Sequence, residues 1–385
     1  MVEGYFQRLP CEILHNIALM LPFSSIIQLK YSSKFWYNLL TDPKFVDLHL
    51  THALQKPPGY LFAALPKSWP EKNKLLLVNQ ACYFVEESGG HLSTSKMFEY
   101  SFDSSDPERW ATFQSSGGLM CAYWSQSCCF RIFNPHIAEE VQVPRDPKFK
   151  RWRFLRFVFS YSPSTKEYKI LKIGKLYCGS PVAEICTLGS NIWRNVQNVP
   201  TIFWRIGDHI QCQGNLFWME KSDLHFFDIV SEKFHVIPGP PVVDRVPVTH
   251  STGTRVYYLG RSLISMGDTV GYVHNNTLWV LEDKTKGIWI NKYGFSIPSA
   301  MYVCAMLIGT LECGHLFGYK EYPANVFSHD MGCTGFRVKE VNLDEHGREK
   351  DTKSIEYMTP HVRSFVSPVR IMKEYEKDDK GEDSK

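Results

Sequence analysis

The sequence predicts a multidomain protein in which a small α-helical module precedes a larger all-β domain of the β-propeller type. Apolar residues recur at helical spacing between residues 9 and 50, and this periodicity ends at Pro57-Pro58-Gly59. Beyond that point, short aromatic runs alternate with Gly, Pro, Ser and Asn turns, which is the pattern of strands and hairpins. Aromatic residues make up 14% of the chain, and such residues suit the pleated surfaces of sheets.

The first helix is predicted between Pro10 and Leu21. Pro10 is compatible with the first turn of a helix, whereas Pro22 cannot continue one. Residues spaced by four form one tilted apolar row on a helix, and here the row is Leu9, Ile13, Ile17 and Leu21. A module of about 40 residues is too small to bury a convincing core alone, so we expect the row to pack against a partner.

Further helical segments follow the first helix. Ser24 is a suitable N-cap for a helix over residues 26–30, and Ser32 or Ser33 is suitable for the next helix. Asp42-Pro43 combines a cap with a first-turn proline and predicts one more helical turn.

The remainder of the chain repeats a unit in which one run ends in a turn and the next run carries Trp or Phe. Ile132, Ile185, Phe226 and Trp279 mark the repeat, and the steps between them are roughly 40 to 55 residues, close to the length of a propeller blade. Residues 364–368 are predicted to form a late closing strand.

The helical segment resembles an F-box. The positions that carry the resemblance are Leu9-Pro10, Glu12-Ile13-Leu14, Ile17, Leu21-Pro22, Ile26, Leu29-Lys30, Ser33-Lys34, Trp36 and Asp42-Pro43-x-Phe45. In that family, a three-helix module docks on a Skp-type adaptor, which joins it to the cullin and RING subunits of a ubiquitin ligase. The resemblance implies that this chain selects a protein substrate, while other subunits transfer ubiquitin.

The resemblance also implies which residues bind the adaptor. The expected contacts are Leu9, Pro10, Ile13, Leu14, Ile17, Leu21 and Pro22. Residues expected to support or extend this contact are Ile26, Leu29, Lys30 and Ser33. Trp36 is either an interface anchor or part of the internal core. The alternative for the whole row is an ordinary amphipathic helix that packs on the chain's own β-domain.

Two residues depart from the F-box pattern. Ala18 stands where the family has a larger aliphatic residue, and Ser32 stands where it has an apolar one. Each change removes a few methylenes from the expected contact face, at roughly 0.8 kcal/mol per buried CH2. The departures therefore predict weaker adaptor binding.

The β-rich region resembles the plant F-box-associated domain. Four landmarks occur in the order of that family, namely residues 159–170, 188–194, 214–218 and 227–234. In the first landmark, Ser160 and Ser162 replace the usual Gly and Asp, which indicates a differently made turn. The resemblance implies a kelch-like β-propeller that binds the substrate.

These patterns divide the chain into four parts. We place the F-box at residues 4–52, a linker at 53–59, the β-propeller-like domain at 60–370 and a charged tail at 371–385. The tail is rich in Lys, Glu and Asp, so it cannot repay the entropy of ordering and is predicted to be disordered.

A basic stretch at residues 148–156 is the weak candidate for substrate binding, through Lys150, Arg151 and Arg153. Its interleaved aromatic residues also fit single-stranded nucleic acid. The alternative is a strand with a solvent-exposed face. The net charge of +3 is close to balance and favours neither a nucleic acid nor an acidic membrane as partner.

No known catalytic motif is present, and we expect no cofactor. Cys304, Cys313, His315 and Cys333 do not have the spacing of a compact zinc site, so we expect no metal.

The N-terminus lacks a secretory pattern and no run reaches 18 apolar residues. With 11 scattered cysteines, this predicts reduced thiols in the cytoplasm or nucleus, and no membrane partner.

The sequence therefore predicts the non-catalytic, substrate-recognition subunit of an SCF (Skp–cullin–F-box) ubiquitin ligase. One alternative is a binding protein whose degenerate F-box does not assemble into a ligase. A second alternative is a propeller-fold enzyme or glycan binder, which would require a cluster of His, Asp or Cys at the mouth of the propeller.

Overall fold

A computed structural model gives the fold of the chain. It describes residues 8–65, 77–88, 91–103, 112–124, 129–144, 152–176, 178–190, 192–200, 209–241, 261–274, 277–294, 305–310, 316–320, 325–329 and 354–374. No helix within these ranges is long and apolar enough to cross a membrane.

From residue 8 onwards, where its description begins, the N-terminal module contains four helices. They are α1 (Cys11–Leu19), α2 (Phe23–Ser32), α3 (Lys34–Leu40) and α4 (Pro43–Leu54). The prediction of three helices and one extra turn was wrong for α4, which has 12 residues. Because α4 ends at Leu54 and the first strand begins at Gly59, the predicted linker at 53–59 shortens to residues 55–58.

The helix starts confirm some predicted caps and correct another. Ser33 caps α3, since its hydroxyl accepts a hydrogen bond from the backbone N–H of Trp36, and Asp42 caps α4 in the same way through Lys44. Ser24 does not cap α2, because that helix already begins at Phe23 directly after Pro22. Proline needs no amide partner and its φ of −57° fits the helix entry.

The rest of the described chain is strand-rich. In chain order, the strands are β1 (Gly59–Leu65), β2 (Leu77–Ser88), β3 (His91–Asp103), β4 (Thr112–Ser116), β5 (Leu119–Trp124), β6 (Cys129–Asn134), β7 (Glu139–Val143), β8 (Trp152–Ser162), β9 (Glu167–Leu176), β10 (Pro181–Thr187), β11 (Trp193–Val196), β12 (His209–Cys212), β13 (Asn215–Glu220), β14 (Asp223–Asp228), β15 (Lys233–Pro238), β16 (Arg261–Met266), β17 (Thr269–His274), β18 (Thr277–Asp283), β19 (Ile288–Gly294), β20 (Ala305–Thr310), β21 (Leu316–Lys320), β22 (Asn325–His329) and β23 (Ser354–His361).

These strands form five sheets, and the predicted β-propeller is confirmed. Four sheets have four strands each, in the orders β23-β1-β2-β3, β4 to β7, β8 to β11 and β12 to β15. The fifth has seven strands, because the antiparallel units β16–β19 and β20–β22 are joined by one parallel pair, Ser265 and Gly309. The first sheet closes the ring, since β23, the last of the described strands, pairs with β1, the first of them.

The predicted closing strand at residues 364–368 was wrong. Closure is made earlier, by β23, and residues 362–367 have no regular structure. A helix at 368–374 follows, and its residues Ile371 and Met372 pack on the propeller core. The predicted tail at 371–385 therefore begins too early, and the part after residue 374 lies outside the described residues.

Candidate protein-docking surface

Helix α1 and the residues that flank it expose an apolar row on the surface of the module. The predicted row keeps 37–46% of its accessible surface, although large aliphatic side chains are normally buried. Its members are Leu9, Ile13, Ile17 and Leu21. Met20 extends the row and is 85% exposed. A contiguous exposed apolar surface of this kind is typical of a protein-binding site. We refer to these five residues as the docking row.

The opposite face of α1 makes the row possible, because it anchors the helix in a core. Leu14 and Ala18 are both 1% exposed and share that core with Leu40, Phe45 and Ile26. Leu14 and Ala18 are four residues apart, as are Ile13 and Ile17, so α1 carries two adjacent apolar faces. One face is used inside the module, and the other points outward.

The residues predicted to bind the adaptor or to support its contact differ in how deeply they are buried. Pro10 and Pro22 are exposed beside the docking row, while Leu29 and Ser33 are partly buried. Leu14, which was predicted to touch the adaptor, lies in the interior instead. Ile26 and Lys30, which were expected to support or extend the contact, are also buried. Trp36 belongs to the internal core, where its ring meets that of Phe35 edge-on, with the ring centroids 5.3 Å apart.

Lys30, which was expected to support or extend the adaptor contact, is buried. Its ammonium lies 5.5 to 5.9 Å from the ring centroids of Tyr31, Tyr37 and Phe365, where the negative ring faces attract it. Burial lowers the pKa of Lys30, and the carboxylate of Glu139 opposes this shift. Lys30 therefore stabilises the inner side of α2.

The two departures from the F-box pattern have different outcomes. Ala18 is buried, so its small side chain removes nothing from the docking row and the expected loss of contact area was wrong there. Ser32 is exposed at the end of α2, where its hydroxyl donates a 2.7 Å hydrogen bond to the Leu29 carbonyl. Its effect on adaptor binding stays a prediction.

Sequence reasoning did not mark several exposed apolar or aromatic residues of this module, among them Met20, Tyr31 and Tyr37. Met20 lies three residues after Ile17, a helical spacing that places it on the same side of α1 and would have identified it. Tyr31 and Tyr37 are 69% and 49% exposed, and no periodic signal marked them.

The helices sit on one face of the propeller, where two hairpin turns contact them. Asp47 in α4 forms a 2.7 Å salt bridge with Lys166 in the β8–β9 turn. The ring of Phe23 in α2 meets that of His136 in the β6–β7 turn at 4.8 Å between centroids. Leu50 of α4 is 4% exposed and belongs to the propeller core. The module that carries the docking row is therefore packed directly against the propeller.

Only the end of the basic stretch, from residue 152 onwards, lies within the described residues. Lys150 and Arg151 lie outside the described residues, and of Arg153 only the backbone is described, near the start of β8. That end pairs with Leu176, whereas the opposite end of β8 leads to the turn that meets the helices. The start of β8 is therefore on the face away from the docking row.

The described residues contain no group of three or more His, Cys, Asp or Glu placed to hold a metal. The four residues considered as zinc ligands all lie outside the described part.

A cavity of about 470 Å³ lies between the fourth and fifth sheets, lined by Phe217, Asp268 and Lys284 among others. The ammonium of Lys284 packs over Phe226, 4.3 Å from its centroid.

Comparisons with known proteins agree with this architecture. The F-box domain model matches residues 6–48, and the model of the F-box associated beta propeller domain matches residues 73–353. The putative F-box protein At1g32420 of Arabidopsis thaliana is 24% identical over 72% of this chain and 87% of its own length. The F-box protein DOR of Arabidopsis thaliana is 24% identical over 87% of this chain and 88% of its own length.

Among solved structures, a chain in the nidogen/laminin complex covers 80% of this chain and 99% of its own length, with 7% identity and a TM-score of 0.45. That likeness is too low to support an argument, so the assignment rests on the two domain models and the strand pairing. Since the propeller model spans more than half of the sequence, the chain belongs to the family of F-box proteins with an F-box associated beta propeller domain.

Proposed function

We propose that this protein is the substrate-recognition subunit of an SCF-type ubiquitin ligase. The observation that supports the proposal is the docking row, an exposed apolar surface on the helix that opens the F-box match. A Skp-type adaptor would bind there and connect the chain to the cullin and RING subunits. The propeller would hold a protein substrate, in the cytoplasm or nucleus.

Such a subunit needs no catalytic residue of its own. Holding a substrate lysine near the charged conjugating enzyme raises its effective concentration, often to the millimolar range for short tethers. The contribution of this chain is therefore to bind two partners at once and to keep them at a fixed separation.

The docking row has the chemistry of an interface centre. Interfaces of this class bury roughly 800 Å² on each partner, and a few apolar anchors each cost at least about 2 kcal/mol when truncated. Ile13 and Ile17 lie in the middle of the row and are each at least 40% exposed. Changing them removes binding energy without opening the internal core.

The test is a binding measurement with a purified Skp-type adaptor. The double variant Ile13→Asp, Ile17→Asp should bind at least about 100-fold more weakly, because two carboxylates would be buried unpaired in the interface. The matched control is Val230→Asp, Val236→Asp, which charges two propeller residues that are 50% and 56% exposed. The control should bind like the wild type.

Two results would contradict the proposal. If the wild type does not bind the adaptor, the chain is a binding protein outside the ligase. If the Ile13, Ile17 variant binds like the wild type, the adaptor uses another surface. Point variants are preferable to deletion of residues 1–52, because that deletion would remove Leu50 from the propeller core.

Affinity purification of the tagged chain from cells tests the whole assembly. The wild type should recover adaptor and cullin together with substrate candidates, and the Ile13, Ile17 variant should recover only the substrate candidates.

A further inference from the structure

The segment at residues 362–374, which we call the C-terminal clasp, joins the propeller to the F-box helices. Neighbouring residues of the clasp enter different cores. Phe365 is 4% exposed and packs with Leu14 and Phe45 inside the helical module. Val366 is 7% exposed and packs with Leu119 in the propeller. One peptide bond thus links the interiors of the two domains.

Phe365 contacts two helices that the sequence places far from it. Its ring stacks on Phe23 of α2 with centroids 4.8 Å apart and an interplanar angle of 27°. It meets His49 of α4 edge-on at 4.9 Å and lies 6.2 Å from Phe45. The Lys30 ammonium approaches the same ring at 5.9 Å. Phe365 therefore fills the space between α2 and α4.

Buried hydrogen bonds fix the backbone on both sides of Phe365. The side-chain amide of Asn134, which is fully buried, donates to the carbonyl oxygens of Ser364 at 3.0 Å and Val366 at 2.9 Å. The hydroxyl of Ser364, also fully buried, donates to the Gly118 carbonyl at 3.0 Å. These bonds tie the clasp to the β4–β5 turn and to β6, so Phe365 cannot move independently of the propeller.

A second set of contacts anchors the start of the clasp. Arg363 forms a 2.6 Å salt bridge with Glu86 of β2. His361, the last residue of β23, meets the hydroxyl of Ser115 at 2.6 Å. The clasp is therefore held by the first two sheets before it reaches the helices.

We propose that Phe365 is a positioning residue for the docking row, and that the C-terminal clasp holds the F-box helices in one orientation on the propeller. Where it concerns adaptor binding, this inference rests on the proposed function. A fixed orientation keeps the substrate site at a constant distance and angle from the ubiquitin-transferring subunits. Loss of the Phe365 ring lets the helices open and rotate, and the docking row is then correctly placed for only a fraction of the time.

The first arm of the test measures hydrogen exchange in the free protein. Phe365→Ala should speed amide exchange in α1 to α3 by about tenfold or more, since local opening raises the exposed population, while exchange in β4 to β9 stays unchanged. Val366→Ala is the matched control from the adjacent position. Val366→Ala should speed amide exchange in the propeller strands and leave exchange in α1 unchanged. Phe365→Leu restores apolar volume and should recover most of the protection.

The second arm measures orientation with two native thiols. Cys11 in α1 and Cys178 in the β9–β10 turn are exposed, and the other described cysteines are buried. Spin labels at these two sites, with Cys128, Cys304, Cys313 and Cys333 changed to Ser, report the distance between helix and propeller. The wild type should give one narrow distance distribution, Phe365→Ala a broad one, and Phe365→Leu a narrow one again.

The third arm measures adaptor affinity. Phe365→Ala should weaken adaptor binding roughly fivefold or more, because only molecules in which α1 to α3 stay packed present the complete docking row, and Phe365→Leu should restore it. Unchanged exchange in α1 to α3, or a distance distribution as narrow as that of the wild type, would overturn the inference. A wild-type protein that binds no adaptor would overturn only the proposed function, since the first two arms use the free protein.

Discussion

His49 lies at the junction of the helices and the propeller and is held in its neutral form. Burial lowers its pKa to about 4, and the positive charges of His52 and Lys56 add to the effect. Its Nδ1 atom is buried without a hydrogen-bond partner. A proton on this ring is therefore costly in the folded state.

Two further histidines share the junction and a hydrogen bond. The Nε2 atoms of His136 and His361 are 3.2 Å apart, so one neutral ring donates to the other. Burial and the guanidinium of Arg363 lower the pKa of His136 to about 3. The same burial, with His136 and Arg363 nearby, holds the pKa of His361 well below its usual value.

We expect the folded protein to lose stability on mild acidification. The unfolded chain takes up protons near pH 6.5, whereas folded His49 does so only near pH 4, so stability is complete above pH 6.5 and falls between these values. His49 alone accounts for roughly 2 kcal/mol between pH 7 and pH 5. His49→Phe keeps an aromatic ring in place and should flatten the dependence, measured by urea unfolding at each pH.

The control for this measurement is Leu48→Phe, which adds a ring to the exposed side of the same helix. It should keep the pH dependence of the wild type. Equal slopes for His49→Phe and the wild type would show that His49 does not titrate on unfolding.

At this scale the sequence identified four of the five residues of the docking row and missed Met20. Spacing by four selected Ile13 and Ile17 correctly as exposed. It gave no means of separating them from Leu14, because consecutive residues on a helix differ by only about 100° in direction. Which of two adjacent apolar faces is buried depends on Phe45 and Phe365, and Phe365 is remote in sequence.

At the scale of single elements, turns decide how closely the clasp approaches the propeller. Gly118 in the β4–β5 turn has a φ of +76°, and a Cβ there would overlap the side chain of Ser364. Gly179 in the β9–β10 turn has a φ of +87°, but a Cβ there would meet nothing within 4 Å. Both glycines have a φ in the left-handed region, but only at Gly118 would a Cβ be crowded.

This contrast gives a paired prediction. Gly179→Ala should cost roughly 1 kcal/mol of unfolding free energy, the penalty of a left-handed alanine. Gly118→Ala should cost that amount and roughly 1–3 kcal/mol more, because the clasp must shift to admit the methyl group. Chemical denaturation of both variants measures the difference. Equal losses of unfolding free energy in the two variants would show that the clasp can shift at Ser364 without an energetic cost.

Helix and strand boundaries could be predicted where they depend on neighbouring residues in the sequence. The caps Ser33 and Asp42 were read from residue type and spacing, and both are present. The length of α4 could not be predicted in this way, because its continuation to Leu54 depends on the packing of His49 and Leu50 against distant partners. The irregular path of residues 362–367 was also missed, since Asn134 supplies hydrogen bonds that a strand partner would otherwise provide.

For the whole molecule, the helical part and the β-rich part predicted from the sequence are both present, and their interiors are joined. Pro57-Pro58-Gly59 marks the junction in the sequence. In space, α4 and the clasp merge the helical and propeller interiors through Leu50 and Phe365. Contacts between residues several hundred positions apart leave no periodic signal, so composition and spacing could not predict them.

Two truncations separate the roles of the closing strand and the clasp. A chain of residues 1–374 should unfold like the full-length protein, because the charged tail beyond it is predicted to be disordered. A chain of residues 1–361 keeps β23 and the closure with β1, yet it loses Phe365 and Val366 from two cores. Removing one buried aromatic residue costs about 3–5 kcal/mol, so this chain should lose at least that amount in urea unfolding. Equal midpoints for the two truncations would mean that β23 alone holds the domains together, and that the clasp adds nothing to the stability of the molecule.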